Sequence, residues 1–87
     1  MLAVFEVYLA RGKSDADILN PDVIKETNAQ IMTIEQAKKV GFGGLETMEG
    51  VGEVRLIAVA KRDAPWIHRT LEMSDAVASF RVHEVDV

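Results

Sequence analysis

The chain has 87 residues, of which 48% are hydrophobic and 28% are charged, with a net charge of −4 and no cysteine. These values indicate one small globular domain, residues 1–87, and exclude a wholly disordered chain, a disulfide framework and thiolate chemistry. The mixed, net negative charge argues against nucleic acid as a partner. The first apolar run is too short to span a membrane and contains Glu6, so we expect a cytoplasmic protein without membrane contact.

Residues 2–10 predict a first β-strand that is apolar on both faces. Side chains alternate along a strand, so the side that carries Phe5 (the first face) and the side that carries Val4 (the second face) are both mainly apolar. Residues 53–60 show the same pattern, with Arg55 as the interruption. Helices on one side of a sheet require one apolar face, so we expect the second face to meet a partner chain or a ligand.

Residues 22–40 show the period of an amphipathic helix, and Asn20 followed by Pro21 is typical of a helix start. The apolar stripe of this period consists of Val23, Ile24, Thr27, Ile31, Ile34 and Ala37. Residues 33–36 match a capping box, which would start a separate short helix. The sequence leaves open whether the helix is continuous or broken near Thr33.

The middle of the chain predicts a second strand at residues 45–49. Gly41 is a typical C-terminal cap for the preceding helix, and residues 50–52 resemble a hairpin turn that leads to the strand at 53–60.

The C-terminal part predicts a second helix and a last strand. Asp63 is a typical helix cap and Pro65 lies in the first turn, whereas the last strand covers residues 78–87. The apolar alternation of this strand slips between His83 and Glu84, which predicts either a β-bulge or a change of the buried face there.

The predicted order is β-α-β-β-α-β. It indicates an α+β fold with a four-stranded antiparallel sheet, two helices on one face, and the first and third strands in the centre. This order resembles the ferredoxin-like superfold. The apolar second face and the C-terminal segment at residues 78–86 are similar to those of the dimeric α+β-barrel group. This group includes muconolactone-isomerase-like, YCII-like and antibiotic-monooxygenase-like proteins. The resemblance implies two sheets closed face to face and ligand pockets between sheet and helices. Together with the apolar second face, it predicts a homodimer through the open sheet face.

A polar set interrupts the second face. Glu6 and Tyr8 lie on the first strand, Arg55 on the neighbouring strand is expected to pair with Glu6, and His83 lies on the last strand. Such a set orients a small ligand or transfers a proton, and the alternative is a satisfied charge pair at a dimer interface. We find no nucleophile triad, metal-histidine pair or phosphate loop, and expect neither a cofactor nor a metal.

Two classes of function remain. The first is a small homodimeric binding or interaction protein whose ligand is a small molecule, and the alternative is a cofactor-independent enzyme of isomerase, lyase or monooxygenase type. We expect any site to lie between the sheet and residues 11–20. Asp15 and Asp17 would select a cationic group there, and the alternative is that they belong to a solvated loop.

Overall fold

The computed structural model describes residues 2–39 and 53–85. Four strands form one antiparallel sheet in the order β2-β3-β1-β4, with β1 at Leu2–Leu9, β2 at Gln30–Met32, β3 at Val54–Ala60 and β4 at Val77–Val85. The helices of the described residues are α1 at Asp15–Ile18, α2 at Pro21–Thr27, α3 at Ile34–Lys39 and α4 at Ala64–Glu72, and a 3-10 turn at Lys61–Asp63 precedes α4. The architecture is α+β.

The two strands that are apolar on both faces are the central ones, as predicted. β1 pairs with both β3 and β4, and β3 pairs with both β1 and β2. Phe5 lies opposite Ile57 and Glu6 lies opposite Leu56. A central strand is covered on both faces, which is why its apolar residues do not alternate with polar ones.

The larger part of the core covers the first face. Its buried residues are Ala3, Phe5, Val7, Leu9, Ile18, Leu19, Ala29, Ile57, Val59, Ile67 and Leu71. Ile67 and Leu71 of α4 are buried as their helical spacing predicts. Trp66 at the start of this helix and Met73 at its end are 42% and 80% exposed. The main core therefore lies between the sheet and helices α1, α2 and α4.

The helix predicted over residues 22–40 is broken. Asn20 caps α2 with its side-chain oxygen, which accepts a hydrogen bond from the amide of Asp22 at 2.8 Å. Asn28 ends α2 because it adopts the left-handed conformation, with φ of 55°. Residues 30–32 then pair with β3 as the edge strand β2. The strand predicted at residues 45–49, together with Gly41 and residues 50–52, lies outside the described residues.

The predicted capping box at residues 33–36 is present. The amide of Gln36 donates to Oγ1 of Thr33 at 3.2 Å, and the amide of Thr33 donates to Oε1 of Gln36 at 3.0 Å. We therefore expect Thr33→Ala to lower the free energy of unfolding by about 1 kcal/mol. Urea denaturation measures this, and Thr70→Ala on the surface of α4 is the matched control. An unchanged midpoint would show that the box contributes nothing.

The second face of the central strands β1 and β3 is buried within one chain. α3 packs on it, since Ala37 forms a second buried cluster with Val4, Met32, Leu56 and Ala58. The expectation that both helices lie on one face is therefore wrong, because α3 lies on the second face and α1, α2 and α4 lie on the first. A homodimer is therefore not required to cover the apolar side chains of this face, because they are already buried within one chain.

The irregularity of β4 lies elsewhere than predicted. The pairing of β1 with β4 is regular from Ser79 to Val85, so no bulge separates His83 from Glu84. The register shifts between Tyr8 and Leu9 instead.

Candidate functional site

Four polar side chains meet on the second face, where β1 pairs with β4. The Glu6 carboxylate lies at their centre and is 0% exposed. Its Oε2 atom accepts hydrogen bonds from the Tyr8 hydroxyl and from Nη2 of Arg81, the latter at 2.8 Å. Its Oε1 atom lies 3.1 Å from Nε2 of His83. We call Glu6, Tyr8, Arg81 and His83 the Glu6 cluster.

Strand geometry places these four residues together. Glu6 and Tyr8 are two positions apart on β1 and therefore share a face. Arg81 lies directly opposite Glu6, and His83 lies opposite Val4, one diagonal step away. Opposed and diagonal residues of an antiparallel pair are close enough for long side chains to meet. The cluster is therefore built on two paired strands, which hold its side chains firmly.

The cluster reaches solvent through β4. The side chains of Arg81 and His83 are 49% and 30% exposed. Tyr8 is buried like Glu6. The two cluster residues on the central strand are thus buried, and the two on the edge strand form the accessible surface that a ligand would contact.

The hydrogen bonds assign a role to each polar atom. A carboxylate that is paired with Arg81 accepts hydrogen bonds, so the contact between Oε1 of Glu6 and Nε2 of His83 is a hydrogen bond when Nε2 carries a proton. Nη2 of Arg81 lies 3.3 Å from the Tyr8 hydroxyl, which links the two partners of Oε2. A carboxylate that orients an imidazole is the arrangement of a general base, and an arginine beside it suits an anionic group.

Three of the four predicted site residues belong to the cluster, and Arg55 does not. Arg55 lies opposite Val7, which places it on the first face. Its guanidinium lies 3.2 Å from Oε2 of Glu53. The expected pair between Glu6 and Arg55 is therefore replaced by the pair between Glu6 and Arg81.

Arg81 was missed as a site residue, although the sequence carries a signal for it. Arg81 and His83 are two positions apart on one strand and must share a face. Once His83 is taken as a neighbour of Glu6, the same alternation brings Arg81 to that neighbourhood.

The other histidine serves a different part of the fold. Nδ1 of His68 lies 3.2 Å from Glu72, and its ring packs edge-on against Phe80 with centroids 5.0 Å apart. It lines a groove of about 300 Å³ between α4 and β4, together with Pro65 and Val82 among others. This groove includes no residue of the Glu6 cluster. The two histidines therefore belong to separate surfaces.

The connection after β1 also forms a surface pocket, of about 480 Å³. Its lining residues are Leu9, Ala10, Arg11, Gly12, Lys13 and Glu53. This lining includes two cations, whereas the sequence suggested acidic selection by Asp15 and Asp17. The Asp17 carboxylate instead accepts hydrogen bonds from the amide and hydroxyl of Ser14, at 2.9 and 3.2 Å. The side chain of Asp15 lies outside what the structure describes.

The Ser14 contacts lower the pKa of Asp17 below its ordinary value of 3.8, mainly through the backbone amide and then through the hydroxyl. A lowered folded-state pKa contributes stability above the unfolded value, and this contribution is lost as pH falls through the folded value. We expect the carboxyl carbon of Asp17 to titrate below 3.8 by NMR. Ser14→Ala is expected to move that midpoint part of the way up, because the amide remains. A midpoint at or above 3.8 would contradict the assignment.

Comparison with protein-family models, with curated proteins and with solved structures yields no match for this chain. Within residues 2–39 and 53–85, no helix is long and apolar enough to cross a membrane. The same residues bring together no group of three or more histidine, aspartate or glutamate side chains that would hold a metal ion. The function of the chain must therefore be inferred from the geometry of the Glu6 cluster.

Proposed function

We propose that the chain is a small-molecule-binding protein and that the Glu6 cluster is its recognition site. Arg81 and His83 contact the ligand from the edge strand. Glu6 and Tyr8 hold these two side chains in place from below.

The observation that carries this proposal is the complete burial of Glu6 in the centre of a small sheet. Removing a carboxylate from water costs several kcal/mol, and an ion pair recovers that cost only with good geometry and further hydrogen bonds. An apolar residue at position 6 would continue the cluster of Val4, Leu56 and Ala58 without this cost. A costly charge whose partners reach solvent is typical of a site.

The fold and the assembly are part of the same proposal. The strand order with β1 and β3 in the centre supports a ferredoxin-like arrangement, with α3 as an addition on the second face. A homodimer stays a prediction. It draws support from β4, a long edge strand on which Val82 is 43% exposed, because exposed edges favour association. Light scattering is expected to give about twice the chain mass of 9.6 kDa, and a monomer across concentrations would contradict it.

A cofactor-independent enzyme is the second candidate, and the contact between Glu6 and His83 favours it. Because Nε2 of His83 is directed to Glu6, Nδ1 is the ring nitrogen that would accept a proton from a substrate carbon or hydroxyl. This class of activity is tested by deuterium exchange next to the carbonyl group of small ketones in D₂O. Exchange that His83→Gln abolishes would favour the enzyme, and exchange equal to the uncatalysed rate would exclude it for those ketones.

A ligand screen by thermal shift tests the binding proposal, because a bound ligand raises the unfolding midpoint according to its concentration over its Kd. We expect the apparent affinity of each hit to be at least about tenfold weaker for Arg81→Gln and for His83→Gln than for the wild-type protein. The matched controls are Arg62→Gln and His68→Gln, which alter an arginine and a histidine of other surfaces and are expected to leave the hits unchanged.

Chemical-shift mapping of each hit locates the site independently of the variants. Perturbations centred on β1 and β4 at the Glu6 cluster support the proposal. Perturbations confined to the groove at α4, or to the pocket at residues 9–13, would overturn it, and the second outcome would restore the placement expected from the sequence.

A further inference from the structure

We propose that the solvent-facing side of α4 docks an acidic amphipathic helix of another protein. We call Trp66, Arg69 and Met73 the outer stripe of α4. Apolar side chains of the partner cover Trp66 and Met73, and a carboxylate of the partner pairs with Arg69 between them. This inference goes beyond the proposed function, because the outer stripe contains no residue of the Glu6 cluster.

The outer stripe lies on the side of α4 that is turned away from the sheet. Ile67 and Leu71 are the buried residues of this helix and define its inner side. Successive residues of a helix are rotated by about 100°, so residues three and four positions apart share a side. Arg69 follows Trp66 by three positions and precedes Met73 by four. Met73 caps the helix with right-handed helical backbone angles, so it continues the stripe.

The exposure of the outer stripe is unusual for its residue types. Trp66 is 42% exposed and Met73 is 80% exposed, and Arg69 is exposed between them. A single apolar side chain on a surface needs no explanation. Here two large apolar side chains and an arginine line one side of one helix, and tryptophan, methionine and arginine are enriched in the centres of protein interfaces. The composition of the stripe is therefore that of a docking surface.

The charge of the outer stripe selects an acidic partner. The guanidinium of Arg69 forms no ion pair with any described residue. The carboxylate of Glu72, three positions further on, instead lies 3.2 Å from Nδ1 of His68. A surface that covers both Trp66 and Met73 also removes Arg69 from water, which is costly unless a carboxylate pairs with it. The partner must therefore bring a negative charge between two apolar contacts.

The spacing of the outer stripe favours a helix as the partner. Seven residues separate Trp66 from Met73, which corresponds to about 10 Å along the helix axis. A helix with apolar residues seven positions apart and a glutamate between them has the same spacing, and it packs against α4 as an amphipathic helix does in a groove.

The same charges disfavour the other occupants of this surface. In a second copy, a symmetric antiparallel pair of outer stripes would bring the two Arg69 guanidinium groups together, and like charges at an interface are costly. A lipid or nucleic-acid surface presents many negative charges. The chain has a net charge of −4, and Glu72 and Asp75 lie beside the stripe, so such a surface is repelled overall. A discrete carboxylate on a protein meets Arg69 without this repulsion.

The experiment uses a synthetic tryptophan-free helical peptide of leucine, glutamate and alanine, with leucine along one side and glutamate between the leucines. Two matched peptides carry glutamine or lysine in place of glutamate. Trp66 is the only tryptophan of the chain, so its fluorescence reports docking directly. We expect a saturable blue shift with the glutamate peptide and at least about tenfold weaker binding of the glutamine peptide. Because the net charge is −4, non-specific attraction would instead favour the lysine peptide.

Substitutions in the outer stripe test the two kinds of contact separately. Arg69→Gln is expected to weaken the glutamate peptide about tenfold and to remove its advantage over the glutamine peptide. Met73→Ala is expected to weaken both peptides. The matched controls are Arg11→Gln and Val82→Ala, which alter an exposed arginine and an exposed apolar residue of other surfaces and are expected to keep the wild-type affinity. Urea denaturation verifies that each variant is folded.

Four outcomes overturn the inference. They are equal or tighter binding of the lysine peptide, glutamate-peptide binding that Arg69→Gln does not affect, the absence of any change in Trp66 fluorescence, and a blue shift that phosphatidylserine vesicles produce but the glutamate peptide does not. Glu6→Gln is expected to leave the affinity for the glutamate peptide unchanged. A failure of this inference therefore leaves the proposed ligand site at the Glu6 cluster to its own tests.

Discussion

Replacing Phe5 by alanine is expected to lower the free energy of unfolding by about 3–5 kcal/mol. Phe5 is fully buried on the central strand, lies opposite Ile57, and packs its ring 6.1 Å from that of Phe80. Truncation removes the transfer free energy of the ring and leaves a cavity that the paired strands prevent from collapsing. A domain of this size has only about 5–15 kcal/mol in total, so Phe5→Ala removes a large share of it.

Urea denaturation at fixed temperature measures this loss. Met73→Ala is the control, because Met73 is 80% exposed at the end of α4 and is expected to change stability by less than about 0.5 kcal/mol. Phe5→Leu keeps most of the volume and is expected to lie between the two. A loss below about 1 kcal/mol for Phe5→Ala would contradict the assignment of this ring to the centre of the core.

Replacing Glu6 by alanine is expected to cost about 3 kcal/mol, since it removes the charged acceptor of the buried Tyr8 hydroxyl and leaves a cavity. The loss has a specific origin. Arg81 is half exposed and hydrates, whereas the Tyr8 hydroxyl is buried and loses its hydrogen bond to the Glu6 carboxylate. Glu6→Gln keeps the shape of the side chain and is expected to cost less, about 1–2 kcal/mol. Chemical denaturation of the wild type, Glu6→Ala and Glu6→Gln measures the order of their free energies of unfolding.

A double variant separates stability from function at this position. Glu6→Leu combined with Tyr8→Phe leaves no orphaned buried polar group, so it is expected to recover most of the stability that Glu6→Ala loses. It is also expected to bind no ligand at the cluster. Glu53→Gln is the control for a glutamate in an exposed ion pair, with an expected change below about 0.5 kcal/mol. A double variant as unstable as Glu6→Ala would show that the Glu6 carboxylate stabilises the fold beyond satisfying its buried partners.

Local signals in the sequence determined much of the fold. The doubly apolar runs predicted the central strands β1 and β3, because only a strand covered on both faces requires apolar residues on both sides. Asn20 and Thr33 predicted two helix starts, because a cap satisfies backbone amides one turn away and needs no distant partner. Both kinds of signal act within a few residues along the chain.

The break at residues 28–33 was left open by the sequence. Ile31 continues the apolar stripe of the preceding helix, so periodicity favours neither interpretation. Residues 30–32 form a strand because Ile31 and its neighbours pair with β3. Asn28 adopts a left-handed conformation that ends the preceding helix. Pairing with a distant strand overrides a helical period, since it satisfies the backbone as fully as a helix does.

For the Glu6 cluster, too, one part could be predicted from the sequence and another part depended on the tertiary structure. Alternation alone showed that Glu6 and Tyr8 share a face, and that Arg81 and His83 share a face. Whether Glu6 meets Arg55 or Arg81 depends on register, and a shift of one residue exchanges every side chain between the two faces of a sheet. That register joins Glu6 to Arg81 across 75 residues of chain and is fixed by packing on both faces of the sheet. The sequence therefore determined which residues carry the chemistry on each strand, and only the tertiary structure decided which of them meet.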